Sequence, residues 1–164
     1  MTTPLILRAN SELVVMAYLR QQVLAAYGTV VGAVLQGPDA DGRYTWSDVG
    51  FVQPSSVGGS INPNVPLRSS VVSIDVWAVN KGSKRPPWGQ AYAVAETIIA
   101  ATYDTEAHDT HAVVTLPTGY PNARVTGYRV TTEPARRPSD PSDFARVGFE
   151  VEIAWHGLGS SWTV

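Results

Sequence analysis

Two stretches of alternating apolar and polar residues constrain the fold of this chain more than any other feature. Residues 69–79 read SSVVSIDVWAV, and residues 144–156 read FARVGFEVEIAWH. In each stretch an apolar side chain recurs at every second position, which is the period of a β-strand with one buried face. Two long strands of this kind need a sheet with a core on one side, so an all-helical fold is excluded.

Two other segments have the helical period. Ser11 is predicted to cap a helix over residues 12–27, and Gly28 is placed to end it in a left-handed conformation. A pair of prolines at 86–87 stands where proline opens a helix, which we expect over residues 88–103. The second helix has small apolar residues along one face, and these allow close packing against a sheet.

Together these elements predict an α+β fold, an antiparallel or mixed β-sheet of about five to six strands with two α-helices packed on one face. With 164 residues, the chain matches the size of a single domain, residues 1–164. The shorter strands are expected at 29–35, 44–52, 111–116 and 123–132. Long loops are expected near 53–68, 80–87 and 133–144, followed by a flexible C-terminal tail over 157–164.

Composition excludes several classes of protein. The chain has no cysteine, which rules out Cys-ligated zinc, iron–sulfur clusters, thiol nucleophiles and a disulfide scaffold. Its 12 Lys and Arg against 14 Asp and Glu argue against a strongly basic nucleic-acid binder. No stretch approaches the roughly 20 apolar residues that span a bilayer, and no basic run precedes the apolar N-terminus. We therefore expect a soluble protein with no membrane partner.

The sequence offers few residues for catalysis. It has no phosphate-binding loop, dinucleotide-binding glycine motif or nucleophile elbow. Asp75 and Glu96 are candidates for an acid–base pair, but no third group is marked out beside them. Residues 104–111 hold five possible metal ligands, yet they crowd one connection, and a solvated loop is the preferred interpretation. No catalytic residue, cofactor or metal is predicted; a small metal-dependent enzyme using His108 and His111 is the alternative of another class.

Arginine and tryptophan residues point instead to association. Arginines flank the Pro-rich loop 133–144, and guanidinium groups pair bidentately with carboxylates across subunit interfaces. Five tryptophans exceed what one apolar layer can bury, and tryptophan is enriched at interface hot spots. The predicted interface residues are Trp77, Trp88, Arg85, Arg136, Arg137, Arg146 and Trp162. The alternatives are tryptophans covered by loops within the monomer, a solvated loop, and contact between DNA and the paired arginines at 136–137.

The order of the elements resembles the tail terminator proteins of long, non-contractile-tailed bacteriophages, especially those of actinobacterial hosts. The resemblance is one of pattern, extends from about residue 10 to 157, and includes no catalytic motif. The segments that carry it are Tyr18-Leu19-Arg20, the strand 73–78 (SIDVWA), the helix 90–101 (QAYAVAETIIAA), the strand 125–130 (VTGYRV), the Pro/Asp loop 138–143 and the closing strand 145–151 (ARVGFEV).

The resemblance implies a structural virion protein that forms a homo-oligomeric, typically hexameric, ring. Such a ring caps the tail tube, ends its polymerisation and presents a surface to the head-completion proteins of the neck. Genomic DNA would pass through the lumen without sequence-specific binding. The implied location is the head–tail junction of the virion, after assembly in the host cytoplasm. A head–tail connector or head-closure neck protein is the alternative within the same class.

Overall fold

The computed structural model describes residues 9–62, 64–103, 111–138 and 143–159. These residues form two α-helices and one mixed sheet, which confirms the α+β class. The helices are α1 (Ser11–Tyr18), which continues as a π-helical turn over Leu19–Val23, and α2 (Trp88–Ala100). The strands are β1 (Val30–Val31), β2 (Phe51–Ile61), β3 (Arg68–Val79), β4 (Val113–Val114), β5 (Ala123–Val130), β6 (Ala135–Arg136) and β7 (Phe144–Gly157).

The two strands with the alternating pattern pair with each other at the centre of the sheet. The strand order is β1-β2-β3-β7-β5-β4, and the short strand β6 also pairs with β7. β1 pairs with β2 in parallel, whereas the other pairings are antiparallel. The register sets Val76 opposite Val147 and Ile74 opposite Phe149. Directly opposed residues share a face, so the apolar positions of both strands line the same side of the sheet.

Both helices pack against that apolar face and close the main core. Helix α2 buries Ala91, Ala95 and Ile98 at helical spacing, as predicted, although it ends at Ala100. Helix α1 leaves Leu13 and Met16 only partly buried. The residues it buries are Ser11, Val14, Val15, Ala17 and Tyr18. Burial of a large apolar side chain contributes about 1.5–3 kcal/mol, so this main core is a large source of stability for the fold.

The start of α1 is one residue earlier than the sequence indicated. Asn10 is the N-cap, and its side-chain oxygen accepts a hydrogen bond from the Leu13 backbone N–H at 2.8 Å. Ser11 is instead the first helical residue and is buried. Its hydroxyl lies 2.6 Å from Ser70 Oγ and accepts a hydrogen bond from Trp155 Nε1 at 2.9 Å. Ser11 therefore ties the helix to the sheet, and the capping function belongs to its neighbour.

A second, smaller apolar cluster lies on the opposite side of the sheet, which we call the outer face. Its buried members are Trp46, Phe51, Val79 and Phe144. Trp46 is fully buried, and its indole N–H donates to the Gln36 carbonyl at 3.0 Å. The segment between β1 and β2 folds over one end of this face. The prediction of a single apolar layer was therefore wrong, and part of the tryptophan content is used within the monomer.

The segment expected to be a loop over 53–68 is mostly strand. β2 runs to Ile61 and pairs with β3 until Ile61 lies opposite Arg68, with a bulge between Ser56 and Gly58. Gly59 permits a close approach, because a Cβ there would lie 2.4 Å from the Ser69 carbonyl oxygen. Backbone pairing to a long neighbouring strand thus holds a sequence whose Pro, Gly and Ser content disfavours strand formation.

The connections after β3 contain little regular secondary structure. Residues 80–87 lie in a loop, and β6 adds two paired residues within the segment expected to be a loop over 133–144. Of that segment, residues 139–142 lie outside the described residues, as do residues 160–164 of the predicted tail. In the part of the chain that the structure describes, no helix has the length and apolar character needed to cross a membrane.

Candidate subunit interface

A buried carboxylate stands at the centre of the outer face. Asp75 points away from the helices and is only 5% exposed. The register of the central strands sets it opposite Gly148 of β7, and Gln53 of β2 lies opposite it on the other side. Because burial of an unpaired charge is strongly unfavourable, a carboxylate at this position requires cationic partners.

Two of the predicted interface arginines supply those partners. Arg146 Nη2 lies 2.7 Å from Asp75 Oδ2, and Arg137 Nε lies 3.5 Å from Asp75 Oδ1. Arg137 is held beside Arg146 by a backbone hydrogen bond from its N–H to the Arg146 carbonyl at 2.8 Å. Gly148 provides the space, because a Cβ there would lie 1.8 Å from Arg137 Nε. Two arginines on one carboxylate leave a net positive charge on this group of three side chains.

Trp77 extends this cluster along β3. The Arg146 guanidinium lies over the Trp77 ring, 4.8 Å from its centroid, at a distance typical of a cation–π contact. The Trp77 ring also meets Phe144 edge-on at 6.2 Å, which connects the charged residues to the second apolar cluster. The structure therefore brings together Trp77, Arg137 and Arg146, three of the residues predicted from the sequence. We call these three residues with Asp75 the outer-face cluster.

Several polar atoms in and beside the outer-face cluster lack hydrogen-bond partners among the described residues. They are Ser73 Oγ, Asp75 Oδ1, Trp77 Nε1 and Arg146 Nε, all of them buried, although Asp75 Oδ1 has its ion pair with Arg137. A buried polar atom without a partner costs about 1–3 kcal/mol. Because these atoms are buried, this cost is internal to the sheet, and a partner on the outer face does not reach them.

The other predicted interface residues lie elsewhere. Arg136 of β6 pairs with Val147, whose side chain lies in the main core, and its guanidinium stacks over the Trp88 ring at 4.5 Å, at the start of α2. Arg85 is exposed in the loop before α2, where its carbonyl accepts from the Asn80 side chain at 2.5 Å. Trp162 lies outside the described residues. The described members of the predicted interface set thus lie in three places. Three belong to the outer-face cluster, Arg136 and Trp88 form a pair at the start of α2, and Arg85 lies alone in a loop.

The candidate acid–base pair is not assembled. Asp75 belongs to the outer face, whereas Glu96 is exposed on α2, on the other side of the sheet. The described residues include no group of three or more His, Asp or Glu side chains able to hold a metal ion. Of the predicted ligand cluster only His111 is described, since residues 104–110 lie outside the described residues.

Two ionisable groups near the sheet have shifted pKa values. A hydrogen bond from the Ser69 hydroxyl at 2.7 Å, with a further contribution from the Arg129 guanidinium, lowers the pKa of Glu152 below its ordinary value. Burial raises the pKa of Tyr128 far above its ordinary value, and the neighbouring Tyr18 ring, 5.1 Å away, adds to the shift. Both are structural effects of the sheet, since neither group belongs to the outer-face cluster.

The sequence pattern did not reveal Asp75 as the partner of these arginines. The signal available was its position on the mixed face of the strand, two residues before Trp77, but its partners follow only from strand pairing.

No family model and no curated protein matches the chain. A solved structure with a similar fold is a chain from the "Virion of native gene transfer agent (GTA) particle". It is 19% identical, with a TM-score of 0.52, over 90% of this chain and 100% of that chain. The similarity shows a shared fold.

Proposed function

We propose that this protein is a structural virion protein that forms a ring, caps the growing tail tube and ends its polymerisation, and joins the tail to the head or neck. The observation that carries the proposal is the fold shared with an entire chain of the gene transfer agent virion. The resemblance of the element order to tail terminator proteins supports the finer role and a hexameric ring.

The surfaces of the monomer suit such a role. A ring is built from heterologous contacts, in which one surface of each copy meets a different surface of the next. The outer-face cluster offers a partly exposed Trp77 and a net positive charge. The Arg136–Trp88 pair offers a second, separate aromatic and cationic surface. Two unlike surfaces of this kind are what a ring and its tube or neck partners require.

In this role the protein requires no enzymatic activity and no cofactor. Genomic DNA passes through the lumen of the ring without sequence-specific binding. A net charge of -2 agrees with a lumen that does not retain DNA by phosphate contacts, since clustered Lys and Arg would do so. The protein acts at the head–tail junction of the virion after assembly in the host cytoplasm.

The mass of the purified protein in solution, by light scattering across a range of concentrations, tests the ring. We expect either a discrete ring-sized species or a monomer that becomes one when the cognate tail-tube protein is added. A monomer that does not bind tube protein but binds head-completion protein would assign this protein to a connector or head-closure role. A monomer that binds neither would contradict the proposal.

A further inference from the structure

The end of β2 and the turn that connects it to β3 form an uncharged arm along the edge of the sheet. We define the arm as residues 55–62 and 64–67. From Ser55 to Ile61 each side chain of β2 is exposed. The sequence has no Asp, Glu, Lys or Arg between Asp48 and Arg68. Exposed segments of soluble proteins normally contain charges, so a charge-free arm of this length indicates contact with another surface.

The arm also concentrates exposed apolar side chains. They are Val57 at 58%, Ile61 at 73%, Val65 at 49% and Leu67 at 39% exposure. These make up half of the large exposed apolar residues among those that the structure describes. Single exposed apolar residues are ordinary, but a group on one exposed segment is typical of an interaction site.

One edge of β2 is open along the arm. β1 covers that edge only at Phe51 and Val52, and the Glu12 carboxylate accepts a hydrogen bond from the Ser56 N–H at 3.3 Å. Within the described residues, no strand pairs with that edge from Gln53 to Ile61. An open strand edge presents unpaired N–H and C=O groups that pair readily with another strand.

The opposite edge of the same sheet is open as well. β4 pairs with β5 only at Ala123 and Arg124, which leaves the outer edge of residues 126–130 uncovered by any described strand. Val113 of β4 is 42% exposed at this edge and can pack against an apolar side chain. An acidic residue, Glu12, lies beside the β2 edge, whereas β5 carries Arg124, opposite β4, and Arg129, which pairs with Glu152. The two edges are thus unlike each other.

We propose that the arm of one copy adds as a strand to the β4–β5 edge of a second copy, so that the sheets of successive copies join head to tail. This inference rests on the proposed ring and names the contact that closes it. Backbone hydrogen bonds supply the pairing, and the arm's valine and isoleucine side chains pack beside Val113. Because the two edges differ, repetition of the contact is heterologous, and it generates a closed ring when the rotation between copies closes.

The test compares an arm variant with a control of equal added charge. Val57→Lys/Ile61→Lys places two cations on the arm at exposed positions. Tyr27→Lys/Tyr103→Lys adds the same charge at side chains that are 58% and 81% exposed outside the arm. Circular dichroism and thermal unfolding first establish that all proteins are folded. Light scattering then gives the mass at each concentration, under the conditions in which the wild type assembles.

We expect the arm variant to need a protein concentration about 100-fold higher for half-assembly, at tenfold per 1.4 kcal/mol, and the control to behave as wild type. Assembly of the arm variant at wild-type concentrations would overturn the arm contact and leave the ring intact. Equal loss in both variants would also overturn it, because charge alone would then explain the effect. A wild-type protein that never self-associates would overturn the contact too. The proposed capping of the tail tube is tested separately, by the length of the tubes.

Discussion

Asp75→Asn removes one charge from the outer face and hardly changes the shape of the side chain. In the wild type, the Asp75 carboxylate is 2.7 Å from an Arg146 nitrogen and 3.5 Å from an Arg137 nitrogen. Asparagine retains an acceptor for one of these groups but cannot neutralise either. The variant therefore leaves two adjacent guanidinium groups that repel each other beside the Trp77 ring.

The exposed fractions of the side chains set the expected magnitude. Removing one partner of a fully buried ion pair costs about 3–5 kcal/mol. Asp75 is buried, with an 8% exposed side chain, but the Arg137 and Arg146 side chains are 35% and 29% exposed. Water screens these partly exposed groups, so we expect a loss of about 2 kcal/mol in the free energy of unfolding. For a domain of this size, that corresponds to a decrease of about 4–8 °C in Tm.

Urea unfolding followed by tryptophan fluorescence measures this loss, with Asp48→Asn as the matched control. Asp48 also pairs with a cation, Lys81, but both side chains are well exposed, at 69% and 58%. Exposed pairs contribute little, so the control should lose less than about 0.5 kcal/mol. Equal losses in the two variants would refute the reasoning, because burial would then have no influence on the value of the pair.

Three further predictions concern the sheet. Gly59→Ala should lower the free energy of unfolding by about 2 kcal/mol, because the new Cβ would lie 2.4 Å from the Ser69 carbonyl oxygen. Gly58→Ala is the control, since a Cβ at residue 58 would meet no other atom within 4 Å. In the same urea assay the control should lose less than about 1 kcal/mol. The lowered pKa of Glu152 means that its ionised form stabilises the fold above the unfolded-state pKa, and this stability is lost as pH falls through the folded-state value. Glu152→Gln should therefore flatten the acid side of the stability–pH profile, and an unchanged profile would be the contrary result. The free energy of unfolding should also fall above about pH 10. In this range Tyr128 ionises in the unfolded state but not in the folded state, where burial raises its pKa, so the unfolded state is favoured. Tyr128→Phe should remove that part of the decline.

The parts of the fold that the sequence predicted are those with a strong period. The alternation in residues 69–79 and 144–156 identified the two central strands, and the small-residue stripe identified α2. In these segments one face of the element is buried throughout, so the spacing of the apolar residues matches the period of the helix or strand.

The arm was not predicted because its strand character comes from pairing. Residues 53–61 contain Pro, Gly and Ser, which disfavour strands, yet they follow β3 residue by residue apart from one bulge. The second apolar cluster was missed for a related reason. Trp46 and Phe144 are distant in sequence and meet only after the segment before β2 folds over the outer face.

Three members of the outer-face cluster were among the predicted interface residues, but their arrangement was not predicted. Trp77, Arg137 and Arg146 meet in one cluster, but Asp75, which holds the arginines, was considered only as a possible acid–base group. Its role depends on the register that places it opposite Gly148, where the missing side chain admits Arg137. Register and the space left by a glycine are properties of the assembled sheet, and no local pattern encodes them.

The length of tail tubes assembled in the presence of this protein tests the central claim most directly. Purified tube protein is polymerised with and without the chain, and tube lengths are measured by electron microscopy. The account predicts that tubes stop growing when the protein is added, with the labelled protein found at tube ends and not along the walls. Tubes that reach the same lengths with and without it, and carry no label at their ends, would contradict the account.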